Sequence, residues 1–362
     1  MKYLDLIKAA LWGGQATWPE EETEQLMRLN AQQGTGALVY PMVLEQTDLS
    51  AQTRAQMKGV CVQIMQQQTK LQYTLAVAWN ALEQAGIRGV LLKGAGLAAF
   101  YPEPQRRSWG DVDIFAGKEQ YHAACAALRA AFPEALTFDE ELEHYKHYNL
   151  IADGVSIELH RVTVSLQHPL DVRRYSQMER IGMEQAERMV IDGLEVRVPE
   201  PTFNMLFVFL HAWEHMISGG ANVRQLCDVA LMMHHYADRI DRVRFKRWLK
   251  ALRLDEVWEV YACIAVNDLG LPQEEALFYT EQAAERAEQM MADLLKGAEA
   301  TGHKEEAKPA KNRWVRKYRT MKERFETAQR IKRYSPSYAR HMNLTTILHG
   351  AGRLFAKDRR WE

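Results

Sequence analysis

Between Val90 and His160 the apolar residues leave helical spacing for strict alternation, and the alternating segments carry carboxylates. In Asp111-Val112-Asp113-Ile114 the two aliphatic residues face one side of a strand and the two aspartates the other. Ile157-Glu158-Leu159-His160 repeats the pattern, with Glu158 and His160 sharing a face. A chain written this way must bury one face of a small sheet and commit the opposite face to charge.

The surrounding residues supply the rest of that unit. Val90-Leu91-Leu92 is a short apolar run, read as a buried strand. It passes through Lys93-Gly94-Ala95-Gly96 into a helix expected over Ala95 to Tyr101, closed by Pro102 and Pro104. Val112 to Phe115 is a second strand, and Glu119 to Phe132 an Ala-rich helix. Strands near Tyr148–Ala152 and Ser156–His160 flank Asp153-Gly154, a hairpin turn signal. Strands interleaved with helices and then a hairpin give an α/β (α+β) core with a small mixed sheet.

Like charges as close as those of Asp111 and Asp113 raise each other's pKa unless a cation neutralises them. Oxygen-only ligands favour a hard cation, Mg²⁺ or Mn²⁺, over zinc. With Glu158 alongside, the three carboxylates would suit two metals about 3.5–4 Å apart, clamping the oxygens of an in-line phosphoryl displacement. Gly94 would let backbone N–H groups approach a phosphate, and a helix start favours negative charge. Lys93 and Arg107 would add cationic contacts to a triphosphate. The P-loop spacing is absent.

Helical patterns flank the core. Expected divisions are an N-terminal helical region 1–85, the core 86–200, a helical region 201–296, a linker 297–312 and a basic helical tail 313–362. Within these, helices are expected at Phe203–Met216, Val223–Tyr236, Arg242–Leu269 and Trp314–Arg333. Residues 303–362 hold 17 Lys/Arg against 6 Asp/Glu, although the whole chain carries a formal charge of −1. Such a tail suits a polyanion or its own acidic body. The first helix carries Lys2, Asp5 and Lys8 among its apolar residues, unlike a signal peptide, and no apolar run approaches the ~20 residues of a membrane span. The expected location is cytoplasmic. Cys61, Cys125, Cys227 and Cys263 form no C-x-x-C pair and read as buried free thiols.

The ordered set Leu92-Lys93-Gly94, Tyr101-Pro102, Arg107-x-x-Gly110-Asp111-x-Asp113-Ile114 and Glu158-Leu159-His160 resembles the uncharacterised nucleotidyltransferase family of bacteria. That family belongs to the DNA polymerase β-like nucleotidyltransferase superfamily. Gln225-Leu226-Cys227-Asp228-Val229-Ala230 is similar to its helical region. The resemblance implies transfer of a nucleoside monophosphate from an NTP to an acceptor hydroxyl, with release of pyrophosphate. Asp111, Asp113 and Glu158 would hold the metals, with Glu158 also accepting the proton. Gly94 and Ala95 would form the phosphate-binding turn, and Lys93, Arg107 and His160 would complete the nucleotide contacts. The turn departs from the superfamily's Gly-Gly or Gly-Ser, and it stands further from Asp111 than the usual spacing. The acceptor is left open among a protein, a small molecule and RNA.

Two rival readings accompany this one. The same fold can bind a nucleotide or partner without turnover. His211-Ala212-Trp213-Glu214-His215 fits H-x-x-E-H, an inverted zinc-peptidase motif, although so short a match arises readily in a His-bearing amphipathic helix. In the basic tail, Trp314, Tyr318, Phe325, Tyr334 and Tyr338 interleave with Lys and Arg. That pattern fits RNA stacking, or a helix whose aromatics pack on the body while its charges face solvent.

Overall fold

A computed structural model describes residues 2–137, 146–166, 168–300 and 313–355. Four helices come first: α1 (Lys2–Trp12), α2 (Thr23–Gln33), α3 (Gly36–Leu44) and α4 (Ala51–Gln84). Helix α4 starts at Ser50, whose side chain accepts from the Thr53 N–H, and runs for 34 residues. Its C-terminal half carries Leu71, Leu75, Ala78, Trp79 and Leu82 at helical spacing, all buried. That stripe covers the apolar face of the sheet.

The sheet contains β1 (Val90–Leu91), β2 (Asp111–Phe115), β3 (Leu136–Thr137), β4 (His147–Ala152) and β5 (Val155–His160), in the order β1-β2-β5-β4-β3. Strands β2 and β5 are parallel and every other neighbouring pair is antiparallel, so the sheet is mixed. Val112, Ile114, Ile157 and Leu159 lose all contact with solvent beneath α4 and α6 (Gly117–Ala131). At about 1.5–3 kcal/mol for each fully buried aliphatic side chain, these four anchor the strands whose other face is charged. Asp153 (φ 49°) and Gly154 (φ 78°) close the β4–β5 hairpin with two positive φ angles.

Helix α5 (Ala95–Ala98) is one turn long, shorter than expected, and the chain continues to Tyr101 in tighter i→i−3 turns ahead of Pro102. After α7 (Pro169–Glu184), a second hairpin of β6 (Glu187–Ile191) and β7 (Leu194–Val198) packs beside β1. Its Asp192-Gly193 turn also has two positive φ angles. Helix α8 (Pro201–Ser218) is buried on nearly every side, with α7, α9 (Val223–His235) and α10 (Arg242–Leu252) packed against it. The single helix expected over Arg242–Leu269 is two, α10 and α11 (Asp255–Asn267). Arg253 adopts a left-handed conformation (φ 60°) between them.

Helix α12 (Ala284–Ala300) reaches into the expected linker; residues 301–312 and the side chain of Trp314 lie outside the described residues. Helices α13 (Arg313–Ile331) and α14 (Pro336–Phe355) then lie on the body. Ile331 and Tyr334 are buried in the helical core, Tyr338 meets Trp213 edge-on at 5.6 Å, and Arg330 donates to the Ile217 carbonyl. Glu256 accepts from Ser335 Oγ (2.9 Å) and from the Ser337 N–H (3.0 Å). Tyr318, by contrast, is exposed. All four cysteines are free thiols, three buried and Cys61 only half-buried. Among the described residues no helix is long and apolar enough to cross a membrane.

Candidate active site

The charged face of the sheet looks across a cleft of about 340 Å³ toward α8 and α9. Parallel pairing places Asp113 directly opposite Glu158, with Asp111 two residues along the same face. One carboxylate oxygen from each of Asp111, Asp113 and Glu158 lies within 4.8 Å of the others. Asp111 and Glu158 line the cleft, while Asp113 is 1% exposed and lies beneath them.

Cationic and polar groups compensate this cluster. Lys93 Nζ lies 3.0 Å from Asp113 Oδ1, and His160 Nε2 lies 2.9 Å from the same oxygen and 3.3 Å from Glu158 Oε2. Burial alone would raise the Asp113 pKa, but Lys93 and His160 hold it well below the usual carboxylate range. Glu158 is likewise lowered, its burial outweighed chiefly by the hydrogen bond with His160. For His160, burial acts downward, and the hydrogen bonds to Asp113 and Glu158 carry the pKa above its ordinary value. Asp111 goes the other way: the negative charge of Asp113, with burial, raises it to about 6. Asp113 Oδ2 is buried with no hydrogen-bond partner. An orphaned buried carboxylate oxygen beside two further carboxylates fits a hard divalent cation.

The turn after β1 is shaped by Gly94. Its φ is +56°, and a Cβ there would come within 2.9 Å of the Trp109 ring and 3.3 Å of the Asp111 carbonyl oxygen. Only glycine lets β1 and the loop before β2 converge at the cleft.

Three of the expected nucleotide contacts are placed as follows. Arg107 lines the cleft, but its guanidinium is committed: Nε and Nη2 form a bidentate pair with Asp228 (2.7 and 2.8 Å), and Nη1 donates to the Gly94 carbonyl (3.1 Å). Tyr101 Oη donates to the same Asp228 (2.9 Å), so Arg107 ties the turn to α9. Ala95 is buried in the apolar core behind the sheet and does not line the cleft, and its one-turn helix offers no extended N-terminal site. His160 is 2% exposed and sits behind the carboxylates, in contact with Asp113 and Glu158.

The opposite wall holds residues the sequence reading did not assign to this chemistry. His211, His215, Asn222 and Arg224 line it, and Lys146 and His147 line the sheet side at the start of β4. His147 pairs in register with His160 across the β4–β5 hairpin, so the alternation of His147, Asn149 and Ile151 placed it on the charged face. Arg224 precedes the Gln225–Ala230 stretch by one residue. It follows Asn222, whose capping box with Gln225 starts α9 and aims the first turn at the cleft. Its Nη1 donates to the Ser108 carbonyl (2.7 Å), and burial together with Arg107 lowers its pKa. The H-x-x-E-H motif is divided. His211 and His215 face this cleft with rings 4.5 Å apart, whereas Glu214 lines a different cavity with Trp213. Burial lowers both histidines, with Lys93 adding to it.

The sequence model of the family described as uncharacterised nucleotidyltransferase matches residues 19–267, more than half of the chain. The chain belongs to this family. The match runs from the N-terminal helices to the end of α11, so this nucleotidyltransferase family includes both walls of the cleft. Among solved structures, the chain is similar to an antigenic nucleotidyltransferase-like protein from Paracoccidioides brasiliensis. The two are 19% identical, with 45% of this chain and 75% of that one covered and a TM-score of 0.30. No curated protein matches.

Proposed function

We propose that this nucleotidyltransferase-family chain moves a nucleoside monophosphate from an NTP to an acceptor hydroxyl in a metal-dependent reaction. The observation that carries this reading is the meeting of Asp111, Asp113 and Glu158 on adjoining parallel strands, with oxygens within 4.8 Å and Asp113 Oδ2 without a partner. These three residues would hold Mg²⁺ or Mn²⁺, which supplies charge neutralisation to the phosphate oxygens.

The chain's own groups do the remaining work. The acceptor oxygen bonds to the α-phosphorus, the bond from that phosphorus to the bridging oxygen of the β-phosphate breaks, and pyrophosphate leaves. Glu158 takes the hydroxyl proton, with His160 behind it to share the charge. Arg224 on the facing wall and Lys146 beside the start of β4 favour the triphosphate end of the substrate. Gly94 keeps the turn low enough for that end to sit against the sheet. Lys93 is the counter-charge of Asp113, and it holds the carboxylates together before substrate arrives.

Calorimetric titration of ATP, GTP, CTP and UTP with Mg²⁺ or Mn²⁺ tests the reading, on the natural chain and on Asp111→Ala/Asp113→Ala. Metal-dependent binding that disappears in the double variant supports it. A well-folded natural chain that binds no NTP would replace it with a non-catalytic binding protein on the same fold.

A further inference from the structure

Away from the cleft, across α8, lies a cavity of about 260 Å³ between α7 and α14. His168, Asp171 and His341 line it, each offering one ligand atom within 4.8 Å of the others. We propose that these three residues bind a first-row divalent transition ion, zinc by class, and that the ion fastens the C-terminal helix to α7.

The carboxylate is already oriented for the task. Asp171 Oδ1 accepts from Arg253 Nη1 at 3.0 Å and from Arg174 Nη1 at 3.4 Å. That leaves Oδ2 turned to the imidazoles, 2.6 Å from His341 Nε2 and 4.0 Å from His168 Nδ1. The His168 and His341 rings stand 5.0 Å apart, and His168 Nδ1 is buried with no hydrogen-bond partner. A tetrahedral site with metal–ligand bonds of about 2.0–2.2 Å spaces its ligand atoms roughly 3.3 Å apart. Each of the two contacts reaches that spacing with a shift of under about 1 Å.

Ligand chemistry selects the ion. Two imidazole nitrogens and one carboxylate oxygen are a zinc-type set, unlike the all-oxygen set of the cleft. Arg253 Nη1 is 3.4 Å from His341 Nε2, and its positive charge rejects weakly held cations such as Mg²⁺. Against an ion held by short nitrogen bonds, the two guanidiniums act as outer partners that fix the carboxylate. The fourth position opens on the cavity, where Trp213, Glu214 and Tyr338 form the walls.

The consequence is mechanical. His168 and Asp171 belong to the start of α7, and His341 to α14, which holds Tyr338 against Trp213. An ion at this point ties the basic C-terminal helices to the body.

The test uses Co²⁺, whose visible absorption reports tetrahedral nitrogen-containing sites, titrated into the full chain. The natural chain and Glu158→Gln should each show the band at one ion per chain, and His168→Ala/His341→Ala should lose it. Glu158→Gln disables the cleft's own His147–Glu158–His160 cluster and so excludes that source. At Co²⁺ a hundredfold above its Kd, local opening of the tail falls on the order of a hundredfold. Tryptic cleavage within residues 313–333 should slow with it in the natural chain and stay unchanged in the double variant. If the double variant does not fold, His168→Gln alone takes its place with the same readouts. No band in the natural chain overturns the proposal and leaves an ion-pair latch. A band abolished by Glu158→Gln but kept in the histidine variant overturns it as well. Neither result bears on NTP binding in the cleft.

Discussion

Asp111 carries a cost that shows how the site is balanced. Its folded pKa, about 6, lies above its ordinary value of 3.8 because ionised Asp113 and burial oppose its charge. A group raised in this way leaves stability intact below about pH 4 and withdraws it as pH climbs through about 6. The shift corresponds to on the order of 2–3 kcal/mol in the metal-free protein at neutral pH. Asp111→Asn should therefore raise the Tm of the chelator-treated protein at about pH 7.5, and the advantage should fade as pH falls toward 4. The same variant should lose metal-dependent NTP binding. Thermal unfolding across this pH range checks the first expectation and calorimetry the second. A variant as labile as the natural chain at every pH would remove Asp113's charge as the cause. In the natural chain, divalent-cation affinity should weaken as pH drops below about 6, where Asp111 takes up a proton.

Two contacts between elements set the distance across the cleft. Arg107, Asp228 and Tyr101 join the β1–β2 loop to α9, and Arg107 and Asp228 are both buried. Removing one partner of a buried pair strands the other charge, at about 3–5 kcal/mol. Arg107→Ala should lower stability by that order in urea unfolding. Arg107→Met/Asp228→Leu should recover most of it, because no charge is left uncompensated. If Arg107 instead served only a bound phosphate, Arg107→Ala would unfold like the natural chain and lose only affinity. The second contact is between α7 and α8 at Gly182, where an added Cβ would meet the Phe203 side chain at 2.2 Å. Gly182→Ala must push α8 away. Overpacking of this kind typically costs about 1–3 kcal/mol, and a shift of α8 also displaces His211 and His215. A Tm unchanged by this substitution would show that the helix pair has slack. Sequence periodicity anticipated these helices only in part. It does not mark residues 169–184, and the Asp192-Gly193 hairpin carries the same turn signal as Asp153-Gly154.

At the scale of the molecule, two apolar cores share α4, which gives Leu71, Leu75, Trp79 and Leu82 to one and Met57 to the other. One lies under the sheet, and the other joins the N-terminal helices to α8–α12 and the start of the tail. The basic tail thus belongs to the second core through Ile331, Tyr334 and Ala339. Deleting residues 313–362 should expose Trp213 and Ile217, lower Tm by several degrees and increase binding of a hydrophobic dye. A deletion that unfolds like the full chain would mean the tail's packing contributes nothing to stability. The strand alternation around Asp111, Asp113, Glu158 and His160 was readable because a period of two fixes which side chains share a face, whatever the rest of the chain does. The family followed from the same residues in the same order. What spacing could not show was which group meets which across distant elements. Asp228 lies 121 positions from Arg107, and its carboxylate holds the Arg107 guanidinium. His341 lies 170 positions from Asp171. Sequence determined the charged strand face, since that depends on local geometry; tertiary structure alone decided the facing wall, the pairing of Arg107 and the division of the H-x-x-E-H motif, since burial and charge pairing arise only when remote helices pack.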